Sequence, residues 1–161
     1  MKQLTLFRHG NAEPHGKGIE DFQRELIKQG VQRVTEVAQK AVNAWGTPDL
    51  IVSSPAVRAI ATAELYAEEL STTDDIQLFE ELYAAESGDI VDIIHELPAD
   101  AEHVVIVGHN PSLEELAFLL LKEEVSLQPG ASIHFTIDIE RWKDFSITLT
   151  PHDTKIIGPA S

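Results

Sequence analysis

The chain contains no cysteine. Disulfides, thiolate metal sites and cysteine nucleophiles are therefore excluded, and cysteine usage gives no hint of secretion. Basic residues are scarce: 12 Lys and Arg stand against 27 Asp and Glu, a formal net charge of −15 at pH 7. So acidic a surface repels nucleic acid and anionic lipid, and neither a nucleic acid nor a membrane is an expected partner. It repels a phosphorylated substrate too, unless positive charge is gathered locally, so the position of each arginine is informative. No apolar run approaches the roughly 20 residues that span a bilayer. The opening MKQLTLFRHG is apolar for too short a stretch to act as a secretion signal. The expected compartment is the cytoplasm. Internal repeats, low-complexity tracts and Pro/Gly-rich linkers are also lacking, so a single domain over 1–161 is expected.

What remains is a 161-residue chain that is 43% apolar, enough for a real core. Leu4-Thr5-Leu6-Phe7 reads as a strand. Val31, Val34, Ala38, Ala41, Val42 and Trp45 follow a helical period, with Gly30 before the helix and Gly46-Thr47-Pro48 ending it. Leu50-Ile51-Val52 is a second strand, followed by an alanine-rich helix to about Leu70 with Ser54 at the N-cap and Pro55 in its first position. Ile76 to Leu78 suggests a short strand, and Ile90 to Leu97 an amphipathic helix capped by Ser87. Val104-Val105-Ile106-Val107 is β-branched and apolar on both faces, as a central parallel strand is. Asn110-Pro111 opens a helix to about Leu121. Ser132 to Ile139 and Phe145 to Leu149 alternate, and are expected to pair as an antiparallel edge through a turn near Trp142-Lys143-Asp144. The alternation of strands and helices predicts an α/β fold, a three-layer α/β/α sandwich with a mostly parallel central sheet.

In such sheets the ligand crevice lies at the carboxyl ends of the strands. Three predicted strands end there in informative residues: Arg8-His9-Gly10, then Ser53-Ser54-Pro55 with Arg58 one turn on, then Gly108-His109-Asn110. A lone histidine after a strand is usually structural, and a lone arginine near a helix start is usually solvated. That arginine is even disfavoured by the helix dipole unless an anion is near. Three such strand ends together predict a crevice with two histidines and two arginines. Arginine matches phosphate oxygens with a planar fork of donors and stays charged. A neutral imidazole is a competent nucleophile near neutral pH, and adjacent guanidinium groups disfavour its protonation. Gly10 is expected to leave room for a phosphate near the backbone, and the helix starts at Ser54 and Asn110 to offer N–H groups. A metal site built on His9, His109 and His15 is the rival use, but no HExxH spacing is present and two arginines beside a divalent cation are unfavourable.

The same residues resemble a known family. Leu6 to Glu13 resembles the RHG signature of the histidine phosphatase superfamily, the phosphoglycerate-mutase-like fold. Asp21-Phe22-Gln23-Arg24-Glu25-Leu26 through Gly30 resembles the DxxRxLxxxG stretch of its small members. Ser53 to Ala59 with Thr62-Ala63-Glu64 resembles SSPxxRAxxTAE, and Val107 to Pro111 resembles VGHNP. Short length and Asn110-Pro111 point to the SixA-type phosphohistidine phosphatases. The resemblance implies that His9 is transiently phosphorylated and that water then hydrolyses phospho-His9, with no metal and no other cofactor. It implies that Arg8, Arg58 and His109 complete the phosphate pocket, where a phosphate or sulfate is an expected occupant. Asn11, Arg24 and Asn110 join them as substrate-binding residues; Arg24 borders the pocket or pairs with Glu25 or Asp21.

Larger members supply a carboxylic acid to the leaving oxygen from an insertion after the arginine-bearing helix. Here segment 71–87 leaves little room for one, and Glu81 is the nearest candidate, ahead of Glu80 and Glu86. A solvated acidic loop is the plainer reading of these glutamates. An alkoxide leaves poorly without an acid, whereas phosphohistidine leaves as an easily protonated imidazole. The expected substrate is therefore a histidine-phosphorylated protein. Alternatives are a small-molecule phosphomonoesterase of the same superfamily and, in a different class, a non-catalytic phosphate-binding regulatory module. A mutase is disfavoured by the short lid. The loop Pro14-His15-Gly16-Lys17-Gly18 either flanks the site or, the plainer reading of His15, is a mobile surface loop, and His95, His103, His134 and His152 read as structural or exposed. Trp45 is expected to pack at a helix end and Trp142 on a hairpin surface.

Overall fold

The computed structural model describes residues 1–16, 18–70 and 76–160. Lys17 and the first part of segment 71–87 lie outside the described residues. Six strands form one sheet: β1 (Lys2–Arg8), β2 (Leu50–Ser53), β3 (Gln77–Leu78), β4 (His103–Gly108), β5 (Ser132–Ile137) and β6 (Asp153–Ile157). Their order is β3-β2-β4-β1-β5-β6. The first four of these are parallel neighbours, and β5 and β6 add antiparallel on the far side of β1.

Among the described residues four α-helices cover the two faces: α1 (Lys28–Trp45), α2 (Val57–Glu69), α3 (Ser87–His95) and α4 (Ser112–Leu121). Strand alternation decides which helix meets which side chain. Phe7, Ile51, Val105 and Val107 point to the layer of α1 and α2, where they pack with Val34, Val37, Ala63 and Tyr66. Leu4, Leu6, Val52, Val104 and Ile106 point the other way, onto Ile90, Ile94, Leu113 and Leu116 of α3 and α4. Every residue of β4 is buried, as a strand apolar on both faces requires. The α/β/α sandwich with an antiparallel edge is thus present. No helix among the described residues is long and apolar enough to cross a membrane.

Several boundaries differ from the sequence expectation. Helix α1 begins at Lys28, so Gly30 lies inside it, buried against the backbone of Asn11. Helix α2 begins at Val57, not Pro55, because the Ser54 hydroxyl accepts from the Ala56 amide and from His109. Ser87 is the first residue of α3; the Glu86 amide before it donates to the Asp89 carboxylate (2.8 Å). The partner of β5 is β6, and Phe145 to Leu149 is no strand. Phe145, Ile147 and Leu149 alternate because they pack onto the α3/α4 face, without a ladder. The mostly exposed β6 carries no apolar period. Trp142, in the short 3-10 turn Trp142–Asp144, is buried, its indole N–H donating to the Ala101 carbonyl (2.8 Å). Trp45 stacks on His134, with ring centroids 4.5 Å apart.

Candidate active site

Parallel pairing in register brings three strand ends to one edge. Arg8 pairs with Gly108, and Ser53 with Val107. The ladder continues one residue further on each side: the His9 amide donates to the Gly108 carbonyl (3.1 Å) and the Ser54 amide to the Val107 carbonyl (3.0 Å). The Ser54 N–H is therefore used within the sheet and is not free for a ligand. Thr62, one turn after Arg58, locks the arrangement. Its hydroxyl donates to the Arg58 carbonyl (2.8 Å) and accepts from the Gly10 amide (3.1 Å).

The result is an open cleft lined by Arg8, His9, Asn11, Arg58, His109 and Asn110, together with Arg24, Asp21, His15 and Tyr83. The His9 and His109 rings lie 5.0 Å apart. His9 Nδ1–H donates to the carbonyl of Gly10 (2.8 Å), which leaves the lone pair on Nε2, 3.4 Å from Arg58 Nε. Arg58 Nη2 reaches His109 Nδ1 at 3.5 Å, and His109 Nε2–H donates to the Ser54 hydroxyl (2.8 Å). Burial, with His109, Arg58 and Arg8 adding to it, pushes the His9 imidazole down to about 3 against the opposing hydrogen bond to Gly10. Burial and then Arg58 push His109 down to about 4. Both rings are neutral at physiological pH.

Arg8 Nη1 and Asn110 Nδ2 both donate to the carbonyl of Leu127 (2.8 and 3.0 Å), while Arg8 Nε and Asn110 Oδ1 are buried without protein partners. Asn11 holds Arg33 through Oδ1 (3.4 Å). Arg24 lines the cleft, but commits Nε and Nη2 to Asp21 Oδ1 (3.0 and 2.9 Å) and Nη1 to the Glu13 carbonyl (2.6 Å). It both borders the pocket and pairs with Asp21, and each of its three nitrogens already has a protein partner. The space at Gly10 is filled from within the protein: a Cβ there would come 2.6 Å from Val34 Cγ2.

Glu81 is not in the cleft. It is exposed on the 3-10 turn Glu80–Leu82 and lines a separate hollow with Phe79, Asp89 and Asp92. Leu82 is buried and anchors this turn, so Tyr83 reaches the cleft while Glu80 and Glu81 stay exposed at the surface. Among the described residues no three His, Asp or Glu side chains converge as a metal site.

Sequence reasoning passed over Asp21 and Tyr83. The Asp21 carboxylate receives Arg58 Nη2 (3.1 Å), the Tyr83 hydroxyl (2.6 Å) and Arg24, and its backbone carbonyl receives Arg58 Nη1 (2.6 Å). The Tyr83 hydrogen bond, then Arg24 and Arg58, hold this carboxyl well below the usual carboxylate range despite some burial. The motif around Arg24 contained the signal for Asp21; Tyr83 sits among acidic residues in no motif. His15 is exposed at the surface, as expected, and its loop also flanks the site: it lies at the cleft rim, 3.4 Å from Asp21.

Four buried or cleft histidines make the fold acid-sensitive. His9, His103, His109 and His134 are all lowered from the ordinary value, to about 3 or 4, chiefly by burial. Unfolded, they bind protons below about pH 6.5, so the stability they confer is complete above that pH and is lost as pH falls toward 4. The unfolding free energy is expected to drop between pH 7 and pH 5, and His134→Gln to make that fall shallower by up to about 1.4 kcal/mol per pH unit in denaturant titrations. An unchanged slope in that variant contradicts this.

The chain matches the histidine phosphatase superfamily (branch 1) over residues 4–104. Among proteins of curated function none matches its sequence. Solved structures are similar throughout. A provisionally assigned phosphohistidine phosphatase SixA from Agrobacterium tumefaciens is 26% identical, with a TM-score of 0.76 over 83% of this chain and 90% of that one. A protein histidine phosphatase SixA complexed with tungstate is 21% identical, with a TM-score of 0.78 over 94% and 95%. A phosphoserine phosphatase from Entamoeba histolytica in complex with phosphoserine is 20% identical, with a TM-score of 0.61 over 88% and 93%. With well over half its length matched by the family model, the chain belongs to the histidine phosphatase superfamily.

Proposed function

We propose that the whole chain acts as one metal-independent phosphatase domain in the cytoplasm, hydrolysing protein phosphohistidine through a phosphoryl group carried on His9. The observation that carries this reading is the contact of His9 Nδ1 with the Gly10 carbonyl (2.8 Å), which sets the tautomer. With Nδ1–H tied to that carbonyl, the lone pair is on Nε2, where it accepts only a long hydrogen bond from Arg58 Nε–H (3.4 Å). Nε2 attacks phosphorus in line with the leaving nitrogen. Arg8 and Arg58 bind the equatorial oxygens and match the charge that develops there. An entering phosphoryl anion offsets burial and the charge of Arg58, so His109 takes a proton from solvent at Nδ1 and donates it to the phosphoryl group as a hydrogen bond. Asn11 and Asn110 border the bound group, and Arg24 contributes through Asp21. Water then releases inorganic phosphate from phospho-His9. The two guanidinium groups supply the positive charge that a metal ion provides elsewhere, which supports metal independence.

The substrate assignment is supported by the similarity to SixA structures and by Glu81 lying outside the cleft. With no carboxylic acid positioned to protonate an alkoxide, a leaving imidazole is favoured. Mass spectrometry after alkaline workup tests the mechanism: phosphate is expected on His9 after brief exposure to substrate, and its absence there refutes it. Turnover of a histidine-phosphorylated protein, p-nitrophenyl phosphate and sugar phosphates tests the substrate class. Faster turnover of the sugar phosphates would reject a phosphohistidine preference.

A further inference from the structure

We propose that Asp21 is the leaving-group residue of this site: its Oδ1 accepts the ring N–H of the substrate imidazole, at the nitrogen that does not carry phosphorus. The inference rests on phosphohistidine being the substrate. Among the described residues lining the cleft, Asp21 is the only carboxylate. It is rigidly held. Arg24 grips Oδ1, while Arg58 Nη2 and the Tyr83 hydroxyl grip Oδ2. Arg58 reaches both histidines, so one guanidinium joins Asp21 to the place where the phosphoryl group must sit.

An imidazole already occupies the proposed subsite. His15 Nδ1 is 3.4 Å from Asp21 Oδ1, yet the His15 side chain is 74% exposed. A ring so little packed is displaced at small cost, and an incoming imidazole takes over its contact. The Tyr83 ring, which packs edge-on against His109 at 5.7 Å between centroids, and Ile27 add apolar surface to the cleft wall.

The chemistry balances without an acid. The reacting substrate carries a proton on its distal ring nitrogen, taken from solvent and held by the Asp21 charge. The P–N bond breaks and its electron pair stays on the leaving nitrogen, so a neutral imidazole departs with its N–H intact. The new P–N bond forms to His9 Nε2, and the positive charge passes to the His9 ring, whose Nδ1–H faces the Gly10 carbonyl. For a phosphate ester the same carboxylate is a handicap. An ionised Asp21 has no proton to give and repels the developing alkoxide.

Asp21→Asn keeps the shape and removes the charge. Its kcat/KM for phosphoimidazole is expected to fall roughly tenfold to a hundredfold more than for p-nitrophenyl phosphate, the scale of one charge-assisted hydrogen bond. Tyr83→Phe, which leaves the carboxylate, should move both substrates together. Equal losses in Asp21→Asn would make Asp21 only a support for Arg58 and overturn the inference, leaving the substrate reading intact. An unaltered protein that hydrolyses p-nitrophenyl phosphate but not phosphoimidazole would remove both. A second measurement needs no variant. Radiolabelled phospho-His9 should be discharged about tenfold faster by imidazole than by 1-methylimidazole, which lacks the N–H. Equal discharge refutes the subsite.

Discussion

His9→Ala is expected to bring turnover of every phosphorylated substrate down by at least about 10⁴-fold, the scale seen when a covalent nucleophile is removed. The other two imidazoles of the cleft are held elsewhere: His109 is anchored to Ser54 through Nε2, its ring 5.0 Å from that of His9, and His15 sits at the rim against Asp21. The arginines have no lone pair to offer. Binding should behave differently, because Arg8 and Arg58 remain and one buried imidazole is lost. Inorganic phosphate or tungstate is expected to bind the variant with affinity close to that of the parent protein. Measured side by side, the two quantities separate an enzyme from a phosphate-binding regulatory module. If the variant keeps its hydrolytic rate, covalent catalysis by His9 is wrong.

Gly30→Ala should be the most damaging small substitution in the fold. Gly30 is helical, so alanine would gain about 1 kcal/mol in helix propensity. Sterics decide otherwise. The new Cβ would lie 2.2 Å from the Asn11 carbonyl oxygen and 2.9 Å from its nitrogen. Neither atom can yield cheaply: that carbonyl accepts the Ile27 amide (3.0 Å), and Asn11 follows directly on the His9-Gly10 turn. Overpacking against backbone costs about 3 kcal/mol or more, which exceeds the propensity gain. The net loss is about 2 kcal/mol or more, and at about 2–4 °C per kcal/mol for a chain of this size the melting temperature should fall by roughly 4–8 °C or more. Gly88→Ala is the control. Gly88 lies in the first turn of α3 with nothing within 4 Å of its would-be Cβ, and there alanine should stabilise by about 0.5–1 kcal/mol. If both substitutions have the same sign, the close approach at Asn11 is not what governs position 30.

The sequence was most legible where one residue type does one job. Val104 to Val107 announced a strand buried on both faces, and Arg8, His9, Arg58 and His109 stood at strand ends that parallel pairing brings together. It was least legible where a side chain has two partners. Ser54 looked like a helix cap, but its hydroxyl serves His109, so α2 starts later. Asp21 looked like a partner for Arg24 alone, although Arg58 and Tyr83 also converge on it from far along the chain. Glu81 was an expectation from position in sequence; which side of a 3-10 turn faces the cleft is set by the burial of Leu82. The pattern Phe145-Ile147-Leu149 mimicked a strand because cover for a sheet face and a strand in that sheet can share one period.

The place of β1 in the sheet has a kinetic meaning. Its two neighbours are β4 and β5, so residues 2–8 pair with residues 103–108 and 132–137, and not with anything near them in sequence. Contacts that close loops of a hundred residues or more form slowly. A growing or refolding chain therefore holds its Arg8-His9 turn without a partner until most of the polypeptide is available. Catalytic competence should appear as one of the last events of folding, in step with the docking of the amino-terminal strand between β4 and β5.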